Sequence, residues 1–259
     1  MKDICKDLAA ECQALDDVVA HIDDAAWAAV TPFDGWTVKD EIAHLVYFDM
    51  LARLSASDKE GFDKEMAKLI EKFETLFEYT LEPGRAKSNK DLLEWWRAER
   101  KGMIAAYEVL DPKARLPWHL PMSARSSATA RLMETWAHGQ DIVDVLGASR
   151  PASDRLKHIA HLGVATFGWS FKCRGMEAPE NPVRVELQSP SGVLWAWGAE
   201  DGADTITGPA EDFCLVVAQR RHYLDTSLKV TGKAATDWMT HAQIFAGPPA
   251  TGPKPGTFR

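Results

Sequence analysis

Glu134 and His138 stand four residues apart in the run from Arg131 to Asp141, R-L-M-E-T-W-A-H-G-Q-D. On a helix advancing about 100° per residue the two fall within about 40° of one another, with Cβ atoms roughly 5–6 Å apart. A carboxylate and an imidazole so placed can grip one metal ion. By itself the spacing is a common accident that ends in a surface hydrogen bond, but Leu132, Met133, Trp136 and Ala137 make the surroundings too apolar for a solvated face. His44 lies in an equally apolar stretch, I-A-H-L-V-Y-F, where a satisfied core histidine is the competing reading. Two imidazoles and one carboxylate would leave open positions on a metal, as catalytic centres require, and match the 2-His-1-carboxylate pattern of non-haem iron.

Around that trio the spacing suggests supporting roles. Asp141, three residues after His138, can orient an imidazole N–H behind a metal, or can instead cap or bond a neighbouring helix. Arg131 is read as a structural partner of an acid rather than a substrate clamp, and Trp36 as a packing anchor. His158 and His161 are three apart but have no acid or cysteine nearby, so they are not read as a second site. Arg220, Arg221 and His222 form a short basic group whose default reading is a solvated surface.

These residues need helices to hold them. Helical periodicity runs from residue 2 to about 175: a first helix over 2–22, a second started by the capping box Thr37–Asp40, a charged amphipathic one over 58–78, and one from Ser88 to Val109. Pro83–Gly84 is expected to mark a loop. The segment 116–125 is read as a loop, followed by a helix capped by Ser126 or Ser127 and closed by Gly147. A last helix is expected from Pro151, with Ser153 as cap, to Gly175. Beyond it Val183, Val185 and Leu187 alternate with polar residues, and Ser191–Gly192 turns into Val193–Trp197, a hairpin signal. A strand at 204–207, a helix over 209–220, a strand at 227–230 and a helix over 234–245 follow. The tail GPPATGPKPGTFR reads as a loose arm or a strap.

Composition narrows the partners. The chain has 259 residues, a formal net charge of −8 and no basic run, which argues against binding nucleic acid or an anionic membrane. The N-terminus has no apolar targeting core, so a cytoplasmic protein is expected. Cys5, Cys12, Cys173 and Cys214 are scattered, and their plain reading is small buried hydrophobes. The ten tryptophans point to a thick aromatic core.

The run Asp34 to His44, D-G-W-T-V-K-D-E-I-A-H, resembles the first signature of the DinB-like metal-binding superfamily, in particular its mycothiol-dependent maleylpyruvate isomerase branch. The run Arg131 to Asp141 resembles that branch's second signature, and the resemblance covers roughly residues 5–175. It implies a mostly α chain: a DinB-like four-helix bundle of the up-down-down-up type over 1–177, with metal ligands His44, Glu134 and His138. Residues 178–259 are similar in texture to the small α+β sterol-carrier-like domain that accompanies such bundles. The implied cofactors are a divalent metal, zinc foremost with iron, nickel or manganese as alternatives, and mycothiol or another low-molecular-weight thiol. The implied activity is isomerisation of, or transfer to, a small electrophilic and acidic substrate. Metal-dependent hydrolysis or oxygen chemistry with the same ligands, and a non-catalytic ligand-binding module, stay open beside it.

Overall fold

The computed structural model describes residues 1–181 and 183–258. The chain divides into two compact units, Met1–Arg150 and the remainder from Pro151. The first is helical: α1 (Lys2–Val19), α2 (Asp24–Trp27), α3 (Val38–Ser57), α4 (Lys59–Glu71), α5 (Leu76–Arg85), α6 (Asn89–Glu108) and α7 (Ala124–Leu146). Between α6 and α7, β1 (Arg115–Leu116) and β2 (Met122–Ser123) form a two-stranded antiparallel ribbon.

Four of these helices make a bundle in which α1 packs on α6 and α7, and α3 packs on the same two. Side-chain pairs fix the directions. Asp3 meets Arg125 and Cys12 meets Thr135, so α1 and α7 run parallel. Glu41 meets His138 while Asp49 meets Arg131, so α3 opposes α7. Asp49 meets Trp96 and Arg53 meets Glu99, which makes α3 parallel to α6. The chain order is therefore up, down, down, up, as the resemblance implied. Ile4, Leu8, Leu15, Ile42, Leu45, Trp96 and Tyr107 fill the interior.

The bundle core is not purely apolar. Asp49 is fully buried and accepts from Arg131 Nε at 2.9 Å and from Trp96 Nε1 at 3.1 Å. Asp16 of α1 takes Arg97 and Arg100 of α6. Each buried acid is thus met by a cation from another helix, which offsets the cost of taking both charges out of water.

Local punctuation differs from expectation in three places. Helix α5 runs through Pro83 to Arg85, because Gly84 is a packing glycine: a Cβ there would lie 2.4 Å from Ala43 Cβ on α3. Tertiary contact here overrides the breaker signal. The cap of α7 is Ser123, whose hydroxyl accepts from Ser126 N at 3.0 Å, since β2 delivers the chain to the helix there. Gly147 ends α7 in the left-handed conformation, φ 57°, as expected. The helix expected from 151 to 175 is two, α8 (Leu156–Ala165) and α9 (Phe167–Lys172), broken where Thr166 turns its hydroxyl back onto Leu162 O at 2.8 Å.

The second unit contains α8, α9 and a four-stranded sheet. The strands are β3 (Val183–Gln188), β4 (Leu194–Trp197), β5 (Asp204–Pro209) and β6 (Lys229–Thr231), in the order β4-β3-β5-β6. Only β3 and β5 are parallel. Val185, Leu187, Trp195 and Ile206 point inward, the alternation the sequence showed. Two helices complete it, α10 (Ala210–Val217) and α11 (Lys233–His241). Because α8 packs on α10 and α9 on α11, the division falls at Arg150–Pro151 rather than at 177/178. The tail is a strap over this unit: Gly256 N donates to Asp225, and Phe258 lies 4.0 Å from the Arg221 guanidinium. Arg259, the tail's last residue, lies outside the described residues. No described helix is long and apolar enough to cross a membrane.

Candidate metal centre

Because α3 and α7 lie side by side in opposite directions, His44 meets Glu134 and His138 near the middle of both helices. His44 Nε2 is 3.6 Å and His138 Nε2 is 3.2 Å from the same oxygen, Glu134 Oε2. The imidazole rings sit 4.4 Å apart. One donor atom from each of the three residues lies within 4.8 Å of the others. The i,i+4 spacing placed two of them, and only the packing of α3 on α7 brought the third.

Aromatic rings shape the surroundings. Trp36 stacks on His138 at 5.9 Å and 11°, lies tilted on His44 at 5.3 Å, and meets Phe77 edge-on. It is a packing anchor, as expected, and what it anchors is the pair of imidazoles. Phe33 stands edge-on to His138 and Phe48 lies against His44. Glu134 keeps 23% of its side chain accessible, so the three donors are reached from its side.

The electrostatics favour a cation. Burial, followed by the charge of His138, pushes the His44 pKa down to about 4, so its nitrogens carry no second proton at neutral pH and one is available as a donor. Burial works to raise the Glu134 pKa, but hydrogen bonds from His138 and His44 overcome it and hold the carboxyl well below the usual range. A neutral imidazole and an ionised carboxylate are the protonation states that a metal takes.

Behind His138 stands a residue that the spacing did not suggest. His138 Nδ1 is 2.7 Å from Glu41 Oε2, and Thr31 Oγ1 donates to Glu41 Oε1 at 2.6 Å. Glu41 is fully buried, and burial pushes its pKa up against the opposing pull of His138. Asp141, the expected orienting acid, has Oδ2 3.8 Å from the same nitrogen, beyond hydrogen-bond reach. Glu41, His138 and Asp141 form a second converging group, which shares His138 with the first. The only sequence signal for Glu41 was an acid three residues before His44, and nothing local says that it serves a histidine on another helix.

The remaining candidates take structural positions. Arg131 is committed to Asp49 and to Leu45 O. His158 and His161 belong to neither converging donor group among the described residues. Arg220 is buried and donates to Ala218 O, Arg221 lies on Phe258, and His222 accepts from Leu224 N. Cys5, Cys12 and Cys214 are buried, and burial raises all three thiols, Cys12 to about 12. A thiol so raised is a poor nucleophile.

The donor set fits a divalent ion. Two imidazole nitrogens and one carboxylate oxygen converge, one imidazole is backed by a buried acid, and the buried Arg131 is already neutralised by Asp49.

Comparison with known proteins follows the same lines. A family profile described as mycothiol maleylpyruvate isomerase N-terminal domain matches residues 8–143, and one described as wyosine base formation matches residues 179–229. Two proteins of Mycobacterium tuberculosis, named uncharacterized protein Rv0036c (strain H37Rv) and uncharacterized protein MT0041 (strain CDC 1551), are 42% identical over 247 residues. The match covers 95% of this chain and 96% of each of them. The crystal structures of a mycothiol-dependent maleylpyruvate isomerase and of its point mutant superpose with a TM-score of 0.59 at 13% identity, covering 85% of this chain and 89% of theirs.

Proposed function

The chain belongs to the mycothiol maleylpyruvate isomerase N-terminal domain family, and we propose that its bundle is a divalent-metal centre serving a thiol-dependent isomerase or transferase. The low-molecular-weight thiol is mycothiol or a close equivalent, and the substrate is a small electrophilic acid. The observation that carries this reading is the convergence of His44 Nε2, His138 Nε2 and Glu134 Oε2. When bound, a divalent ion, zinc before iron, nickel or manganese, would lower the pKa of a coordinated thiol and polarise a carbonyl.

The chain's own residues do the rest. His44 presents an unprotonated nitrogen, the metal would take the place of the proton on His138 Nε2, and Glu134 supplies one negative charge, so the centre would keep a net charge of +1. Phe33, Trp36 and Phe48 exclude water from the imidazoles, which strengthens every electrostatic interaction among them. No cysteine near the three donors is activated, so the reacting thiol comes from outside the chain. The reading carries a cytoplasmic location, where low-molecular-weight thiols stay reduced. It also takes the second unit as the sterol-carrier-like companion of the bundle.

The test is elemental analysis of the purified protein, followed by turnover of electrophilic acids such as maleylpyruvate with mycothiol, glutathione, bacillithiol or no thiol. One metal per chain and turnover only with a thiol are expected, with metal and turnover both lost in His44→Ala and His138→Ala. Full metal retention in both variants would sink the ligand assignment. Turnover that needs no thiol would move the reading to hydrolysis.

A further inference from the structure

We infer that Glu41 is the positioning residue of this centre: it holds the proton of His138 on Nδ1 and so leaves Nε2 as the donor. The inference rests on the proposed metal site and deepens it. His138 can offer Nε2 to a cation only if its remaining proton sits on Nδ1. Glu41 Oε2 lies 2.7 Å from that nitrogen, and its other oxygen is held at 2.6 Å by the Thr31 hydroxyl. The carboxylate is therefore clamped at both ends, in a fully buried place, with its acceptor aimed at the ring.

His44 is built differently. Its Nδ1 is buried and has no hydrogen-bond partner among the described residues, and its ring lies against Trp36 at 5.3 Å and Phe48 at 4.7 Å. Behind one ligand stands a hydrogen-bond chain, Thr31 to Glu41 to His138, and behind the other only aromatic packing. The sides are also crossed: Glu41 comes from α3 and serves the histidine of α7, while Glu134 comes from α7 and meets the histidine of α3. Glu41 touches neither substrate nor metal in this arrangement, and acts through His138.

The experiment uses the full chain in two measurements. In ¹⁵N-histidine NMR of metal-free protein, His138 Nδ1 is expected to carry a strongly hydrogen-bonded proton whose resonance moves upfield or vanishes in Glu41→Gln. In chelator competition with zinc alone, Glu41→Gln is expected to bind roughly 10- to 100-fold more weakly, the range typical of lost outer partners of metal histidines. Asp141→Asn should weaken zinc less. A His138 Nδ1 without a proton, a resonance indifferent to Glu41→Gln, or equal losses in Glu41→Gln and Asp141→Asn would overturn the inference. If wild-type protein binds no zinc, the metal reading fails while the NMR measurement still decides the role of Glu41. If Glu41→Gln does not fold, Thr31→Val replaces it. Removing the single donor to Oε1 should shift the same resonance and weaken zinc by a smaller factor, and an unchanged resonance overturns the inference.

Discussion

Glu134 and His138 were legible from their spacing because four residues on one helix fix a geometry without help from the rest of the chain. His44 was legible as a candidate ligand only through the resemblance of its surrounding run to a known signature, since a lone histidine on an apolar helix has the same local pattern as a core residue. Glu41 was not legible, because its partner lies 97 residues away on a helix of opposite direction. Asp141 looked better by spacing, but its Oδ2 stops 3.8 Å from His138 Nδ1, while Glu41 of α3 takes that nitrogen at 2.7 Å. Arg131, one turn before Glu134, illustrates the residue scale of stability. It is bound to the fully buried Asp49 at 2.9 Å. Asp49→Asn should cost about 3–5 kcal/mol in urea unfolding, because an uncompensated guanidinium stays in the core. A loss under about 1 kcal/mol would show that the pair is not a structural anchor.

At the scale of elements, the capping box at Thr37, the C-terminal Gly147 and the strand alternation at 183–188 were readable, because caps and periods are local chemistry. Pro83–Gly84 misled for the opposite reason: its meaning depends on Ala43, a neighbour distant in sequence. The junction of α1 with α6 offers a pH test. Burial alone would raise the Asp16 pKa, yet hydrogen bonds from Arg97 and the charge of Arg100 bring it below its ordinary 3.8. A carboxylate depressed in the folded state stabilises above its unfolded pKa, and the stabilisation is lost as pH falls through the folded value. Wild-type protein should therefore lose this contribution only below about pH 4. Asp16→Asn should be less stable at pH 7, with the difference from wild type shrinking toward pH 2–3 in urea titrations. A difference independent of pH would show that the acid's charge is not what joins α1 to α6.

For the whole molecule, a bound dication would tie α3 to α7 and so join stability to function. Ligation of the native state alone stabilises by about 4 kcal/mol at a thousand times the dissociation constant. Zinc-loaded protein should therefore melt roughly 8–15 °C above the chelator-treated form in calorimetry, and His138→Ala should erase the difference. Identical melting of the two wild-type forms would mean that the site holds no structural cation. The sequence by itself determined the mostly helical character, the α+β texture of the C-terminal part and the pair Glu134 and His138 as converging donor groups. Each of these follows from periodicity, capping and side-chain chemistry within a few residues. Only the tertiary structure decided that α8 and α9 join the second unit, that Trp36 walls both imidazoles and that Glu41 backs His138. Those relations are set by which helix faces meet, and they link residues far apart in the chain, beyond the reach of local spacing.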